Sequence, residues 1–166
     1  MSQRAEAVES FEQTLAELGV GDGDAELDDP VALGRRAALM AASAVLWERH
    51  LGPLYSTRQV RELMGIGSRQ AISERAKRRR LLSVPGSDGR PLFPAFQFAG
   101  RRTLPGLGPI LDTFRDAVEN PYTIASWFVA PEPLLDDKPP ATWLRESGAP
   151  DRALQAASRY AERLRH

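Results

Sequence analysis

Residues 54–98 carry the pattern that most limits how this chain can fold: two short helix signals around a glycine-containing turn, then two apolar runs around a second turn. Ser56 and Ser68 each stand just before a helix signal, where a hydroxyl can accept a hydrogen bond from the first turn. The first helix is predicted to end at Met64 and the second, which begins at Arg69, to end at Arg80.

The second half of this segment predicts a β-hairpin. Leu81–Val84 and Pro91–Phe93 flank Gly86–Gly89, and short apolar runs around a glycine-rich turn are typical of two paired strands. Helix, turn, helix and hairpin in this order are typical of a winged helix-turn-helix. We therefore predict a mainly α protein with a helix-turn-helix, a short wing-like hairpin and a C-terminal helical domain.

Breaks in the pattern divide the chain into four predicted segments. An acidic arm with one helix and a linker occupies 1–30, and an Ala-rich connecting helix that starts near Asp29 and Pro30 occupies 31–53. The helix-turn-helix with its hairpin occupies 54–98, and a helical partner-binding domain occupies 99–166. The helices predicted in this last segment cover 107–118, 122–129, 142–146 and 151–165, the final one with Asp151 as its cap.

The formal net charge is zero, but the charges are separated along the chain. Residues 1–30 hold one basic and nine acidic side chains, whereas residues 54–98 hold nine basic and three acidic ones. Twenty of the 22 basic residues are Arg, which suits bidentate contacts to phosphate and guanine but also follows from genome composition. The acidic arm either masks the basic segment or is a disordered solubilising arm.

The basic segment predicts a DNA-binding helix. Twelve helical residues span about 18 Å, enough to lie along a major groove. Arg, Gln and Ser side chains read base edges, and a helix N-terminus with neighbouring Arg or Ser holds phosphate. The candidate DNA-binding residues are Arg58, Ser68, Arg69, Gln70, Ser73, Lys77 and Arg90. The alternative is a solvated charged face on a protein–protein module.

The sequence gives little support for catalysis, for metal or cofactor binding, or for membrane association. The chain has no cysteine, which excludes disulfides and thiolate sites and fits a cytoplasmic location. His50 and His166 stand far apart, and no nucleophile–base pair can be assembled, so we expect no enzyme, no catalytic residue, no metal and no cofactor. The longest apolar run is much shorter than the ~20 residues of a transmembrane helix, so we expect no membrane association.

Three aromatic residues, Trp127, Phe128 and Trp143, concentrate in the C-terminal segment. They are either core residues or part of a partner surface, where aromatic side chains are enriched.

Two stretches together resemble the Xre/MbcA/ParS-type antitoxins of RES-domain toxin–antitoxin pairs. The first is Tyr55–Ser73 with Leu92–Phe98, and the second is the block Trp127–Gly148, which resembles that family's toxin-binding domain. The resemblance covers about residues 54–166. It departs from the family at Asp137, where Gly is usual, and at Pro139, where Thr or Ser is common.

The resemblance implies a dimeric antitoxin that binds the operator of its own operon and sterically blocks a RES-type toxin that destroys NAD. The final helix would lie nearest the toxin's active-site cleft. The candidate partner-binding residues are Trp127, Phe128, Trp143, Leu144, Arg159, Arg163 and Arg165. The alternatives are a stand-alone transcriptional regulator whose C-terminal domain senses a ligand or only dimerises, and an adaptor that does not bind DNA.

Overall fold

The computed structural model describes residues 2–20 and 30–165. The chain divides into two compact units, Met1–Ala41 and Ala42–His166. Within the described ranges, no helix has the length and apolar character needed to cross a membrane.

The first unit contains α1 (Gln3–Glu17), which confirms the predicted N-terminal helix. Ser2 caps this helix by accepting a hydrogen bond from the backbone N–H of Ala5. The helix buries none of its residues, and its apolar side chains Val8 and Phe11 are exposed. The linker predicted after it falls mostly on residues 21–29, outside the described residues.

The long helix α2 (Pro30–Leu51) begins in the first unit and ends in the second. Pro30 is its first residue, as predicted, because the proline ring presets the helical φ and the missing N–H costs no hydrogen bond there. The predicted cap Asp29 lies outside the described residues. Near its end, Leu51 belongs to the larger hydrophobic core and Trp47 packs against it, whereas Leu39, Met40 and Leu46 are exposed.

The helix-turn-helix consists of α3 (Thr57–Met64) and α4 (Arg69–Lys77), and both predicted serine caps are confirmed. The Ser56 hydroxyl accepts from the Gln59 N–H, and the Gln59 side chain accepts from the Ser56 N–H, which completes a capping box. The Ser68 hydroxyl accepts from the Ala71 N–H at 3.1 Å. Glycine is needed at position 65, where α3 ends in the left-handed region with φ +67°.

The helix α4 is shorter than predicted, because it ends at Lys77 instead of Arg80. Arg79 adopts a left-handed conformation with φ +56°. Its N–H donates to the Ala76 carbonyl, and the Arg80 N–H donates to the Arg75 carbonyl at 2.8 Å. These two hydrogen bonds form a Schellman motif, which ends α4 and places Arg80 after the helix.

The predicted hairpin is confirmed as β2 (Val84–Pro85) and β3 (Pro91–Pro94). A third strand, β1 (Leu54–Ser56), was not predicted; it pairs antiparallel with β3 and makes the sheet order β1-β3-β2. Only three residues form β1, too few to show an alternating pattern. A smaller hairpin follows, with β4 (Phe98–Ala99) and β5 (Arg102–Thr103).

The C-terminal half is helical, as predicted. It comprises α5 (Leu107–Thr113), α6 (Pro121–Val129), α7 (Pro140–Arg145) and α8 (Pro150–Leu164). The prediction of one helix through residue 118 is wrong, because α5 gives way to tight turns in which Arg115 and Ala117 donate to carbonyls three residues back. Asp151 is not a cap: α8 starts at Pro150, and Asp151 lies in its first turn.

Two hydrophobic cores stabilise the second unit. The smaller core lies under the helix-turn-helix and includes Val60, Ile72, Leu81, Phe93 and Phe98. The larger core joins C-terminal side chains such as Phe114 to Leu82 and Phe96 of the preceding segment. The predicted boundary between 98 and 99 therefore falls inside one compact unit.

Polar contacts also join the two segments. The Arg145 guanidinium of α7 donates to the Phe96 carbonyl at 2.7 Å. The Tyr122 hydroxyl of α6 donates to the Pro85 carbonyl of β2 at 2.8 Å, and burial raises the pKa of this hydroxyl. The hairpin is thus fixed to the C-terminal helices as well as to α3 and α4.

Candidate nucleic-acid interface

The helix α4 presents a polar face to solvent. Ile72 is fully buried and Ala76 is partly buried, which turns the opposite side of the helix outward. The predicted base-reading residues Arg69, Gln70, Ser73 and Lys77 are all exposed on that side.

One side of α4 forms a groove with the sheet, which we call the hairpin groove. Its volume is about 540 Å³. It is lined by Thr57, Arg69, Ile72, Ser73, Ala76, Lys77, Ser83, Arg90, Pro91 and Phe93. The structure thus brings four of the predicted DNA-binding residues, Arg69, Ser73, Lys77 and Arg90, together around one groove, although Arg90 comes from a separate element.

The hairpin turn holds Arg90 at the edge of this groove. The Gly86 N–H donates to the Arg90 carbonyl at 2.8 Å, and the Arg90 N–H donates to the Asp88 carboxylate at 2.9 Å. The Arg90 guanidinium is 3.8 Å from the same carboxylate and largely exposed. An ion pair this exposed contributes little to stability, so the guanidinium can bind another anion at little cost.

The other three predicted DNA-binding residues do not line this groove: Gln70 is exposed on α4 outside it, and Arg58 and Ser68 lie elsewhere. Arg58 is on α3, where its guanidinium pairs with Glu62 at 3.0 Å beside a different cavity that includes Gly65 and Gly67. Ser68 stands at the N-terminus of α4, and its hydroxyl oxygen is occupied by the cap, although its proton can still be donated. Neither lines the hairpin groove.

A second concavity lies on the opposite side of α4, and we call it the arginine cavity. It has a volume of about 790 Å³ and is lined by Ala71, Glu74, Arg75, Lys77, Arg78, Arg80 and Arg115. At 100° per residue, Arg75 points about 160° away from Ser73 of the hairpin groove. Glu74, Arg75 and Arg115 were not among the predicted site residues. The helical spacing of Ala71, Arg75 and Arg78 was a signal for this second face.

Asp112 of α5 orders two of these arginines. Its carboxylate accepts a hydrogen bond from Arg115 at 2.8 Å and lies 3.5 Å from the Arg80 guanidinium. The hydrogen bond from Arg115 lowers the pKa of the Asp112 carboxyl, so the carboxylate stays charged at neutral pH.

Three of the predicted partner-binding residues are buried, which corrects that prediction. Trp127, Phe128 and Leu144 are 4%, 0% and 1% exposed within the larger core. In the folded chain they offer almost no surface to a partner. The apolar spacing of α6 fits a core helix as well as a docking face, and only the packing distinguishes the two.

The other four partner-binding candidates keep some surface. Trp143 is half-buried: its ring lies under the Arg152 guanidinium, and its N–H donates to the Ala149 carbonyl at 3.1 Å. Arg159, Arg163 and Arg165 are exposed along and after α8.

The structure also places a histidine next to a serine, a pair of residue types that occurs in nucleophilic catalysis. The His50 Nε2 atom of α2 lies 3.1 Å from the Ser126 hydroxyl of α6. A nucleophilic serine also needs a third group that orients the imidazole, and no described residue hydrogen-bonds to the other ring nitrogen. Among the described residues, no three His, Cys, Asp or Glu side chains are grouped as metal ligands.

Comparison with known proteins supports the fold. No family model matches the sequence, and no curated protein matches it. An NMR structure of Rv2175c is similar, with a TM-score of 0.55 and 20% identity. The match covers 66% of this chain and 81% of that chain. At this level of identity, the similarity shows a shared fold.

Proposed function

We propose that the chain binds duplex DNA by placing α4 in the major groove. One observation carries the proposal: α4 exposes Arg69, Gln70, Ser73 and Lys77 on one face, and three of them share a groove with Arg90 of the hairpin. Base-reading side chains and a phosphate-binding arginine on a neighbouring element are what a winged helix-turn-helix uses.

The chemistry of each side chain suggests its role. The Arg69 guanidinium can donate two hydrogen bonds to guanine, and the Gln70 amide can pair with adenine. Lys77 and Arg90 are exposed charged residues that line the groove, which suits contacts to the phosphate backbone. Autoregulation of its own operon, which the antitoxin resemblance implies, is the use we propose for this binding.

Substituting the base-reading residues is expected to weaken and relax DNA recognition. Arg69→Ala and Gln70→Ala should each cost about 1–3 kcal/mol of binding free energy on a duplex selected from a random library, and should broaden the sequence preference. Lys77→Ala should weaken binding to all sequences similarly and reduce the slope of log K against log salt by about 1. Fluorescence anisotropy at several salt concentrations measures both effects.

Two exposed residues of α8 provide matched controls. Gln155→Ala and Arg159→Ala remove the same side-chain types from a helix outside the hairpin groove, and both should bind the selected duplex as the unmodified chain does. Binding that is unchanged in all three α4 variants would mean that another surface contacts DNA. A chain that selects no duplex at all would rule out the proposal.

The antitoxin hypothesis is our second candidate, and the exposed basic edge of α8 supports it. Arg159 and Arg163 stand one turn apart, and the Arg163 guanidinium lies 5.5 Å from the Tyr160 ring. Such a row of positive charge suits an acidic partner surface. The homodimer and the cytoplasmic location that accompany this hypothesis stay predictions.

Reversing this charge is expected to abolish toxin neutralisation. The variant Arg159→Glu/Arg163→Glu changes only exposed side chains, so the fold should persist. In cells that co-express an adjacent RES-type toxin, growth should be rescued by the unmodified chain and by the control Arg102→Glu, but not by the double variant. Rescue by the double variant would remove α8 from the toxin interface. A chain that never rescues but still binds its promoter would favour the stand-alone regulator.

A further inference from the structure

The arginine cavity belongs to no role discussed so far. Four arginines and a lysine line it, against the carboxylate of Glu74, which is 3.5 Å from the Lys77 ammonium, and that of Asp112 beside it. Arg75, Arg78, Arg80 and Arg115 are all exposed, so their guanidinium groups are hydrated and can exchange water for an anion. The excess of positive charge predicts an anionic occupant.

The cavity is partly preorganised. A Cβ atom on Gly108 would lie 2.6 Å from the Arg80 Nη1 atom, so the bare glycine lets the guanidinium lie against α5. Asp112 then holds Arg80 and Arg115 on one carboxylate. The Schellman motif that ends α4 directs Arg80 toward this place. A guanidinium that is already oriented loses less conformational entropy when it binds.

The position of the cavity identifies the anion. A major groove is about 12 Å wide, close to the diameter of an α-helix with its side chains, so a helix lying in it has a phosphate strand on each side. The hairpin groove with Arg90 faces one flank of α4, and the arginine cavity faces the opposite flank. The two concavities therefore face the two phosphate backbones that border the DNA major groove.

We infer that the arginine cavity binds a backbone phosphate of the DNA strand opposite the one that the hairpin contacts. This inference rests on the proposed DNA binding and extends it beyond the helix-turn-helix. Arg115 follows α5, so the C-terminal helices take part in DNA binding directly. Arginine suits the site because its planar fork donates two parallel hydrogen bonds to one phosphate.

The salt dependence of DNA binding tests the inference. On a mixed-sequence duplex of about two helical turns, Arg115→Ala should weaken binding and lower the slope of log K against log salt by about 0.9, the value for one lost phosphate contact. Arg115→Lys should keep the slope because it keeps the charge. Arg49→Ala, at an exposed arginine of α2 that lines neither concavity, should leave the slope unchanged.

Failure of this inference is distinguishable from failure of the proposed function. If Arg90→Ala, which affects the hairpin groove and not the arginine cavity, lowers the slope and Arg115→Ala does not, the chain binds DNA and the cavity holds no phosphate of it. If the unmodified chain does not bind the duplex, the proposed function itself fails. Calorimetric titration with inorganic pyrophosphate tests whether the cavity binds a small free phosphate anion instead of DNA. Micromolar binding that Arg115→Ala abolishes would assign the cavity to a small free phosphate anion and overturn the inference, whereas the absence of micromolar binding supports the DNA backbone.

Discussion

Trp127→Ala is expected to lower the free energy of unfolding by about 3–5 kcal/mol, the usual cost of removing a large aromatic side chain from a core. Trp127 is 4% exposed and packs edge-on against Phe114 and Phe128, with ring centroids 5.4 and 5.1 Å away. The truncation removes these contacts and leaves a cavity that the surrounding helices can fill only partly. Urea unfolding followed by far-UV circular dichroism measures the change.

A lost hydrogen bond adds to this cost. The Trp127 indole N–H donates to the Glu132 carboxylate at 3.1 Å, and Glu132 is itself 5% exposed. Removing the indole leaves a buried carboxylate oxygen with one donor fewer, which is unfavourable because no water replaces it readily. Glu132 also accepts from the Leu134 N–H, so the turn after α6 should loosen.

The half-buried Trp143 is the matched control. Trp143→Ala should cost less than Trp127→Ala, because Trp143 is only partly buried and its removal exchanges less apolar surface. Should Trp127→Ala fail to accumulate, Trp127→Phe keeps most of the ring and should still lower the urea midpoint. Unfolding of Trp127→Ala at the same urea midpoint as the unmodified chain would show that the side chain is not part of the core.

Gln97→Leu is expected to lower the free energy of unfolding by about 3 kcal/mol or more, although leucine fills a similar volume. The Gln97 side chain is fully buried. Its Oε1 atom accepts from the Leu82 N–H at 2.8 Å, and its amide group donates to the Leu82 and Pro94 carbonyls. The substitution removes all three hydrogen bonds and leaves the Leu82 N–H and carbonyl without their Gln97 partner, at about 1–3 kcal/mol for each buried group.

The position of Gln97 should make the effect visible in hydrogen exchange. Leu81 belongs to the smaller core and Leu82 to the larger one, so Gln97 fixes the chain where it passes between them. In Gln97→Leu, the Leu82 amide should lose most of its protection. The exposed Gln155 of α8 is the control, and Gln155→Leu should change stability by no more than about 0.5 kcal/mol. Full protection of the Leu82 amide in Gln97→Leu would contradict this role.

Both cores bear on function because they position α4. Ile72 anchors the helix in the smaller core, and the chain that leaves α4 enters the larger core at Leu82. Destabilising either core should therefore move Arg69 and Arg115 relative to each other. Under the proposed function, the C-terminal helices would therefore influence DNA binding even without a second partner.

Local features of the helix-turn-helix could be predicted from the sequence. A serine before an apolar period, a glycine after it and a glycine-rich turn between short apolar runs each span only a few residues, so Ser56, Ser68 and the β2–β3 hairpin were predicted correctly. Their backbone hydrogen bonds close within three to five residues, and neighbouring residue types decide whether such bonds form.

Other features depended on the tertiary structure. Whether Trp127 is a core or a partner residue, and whether Arg75 shares a cavity with Arg115, depends on contacts between distant parts of the chain. An amphipathic helix has an apolar face in either case, and its sequence does not say what covers that face. The sequence by itself determined the two helices of the helix-turn-helix, their serine caps and the charge of α4. Only the packing of α5 and the hairpin against its two flanks decided which arginines lie together, because long-range contacts leave no local pattern.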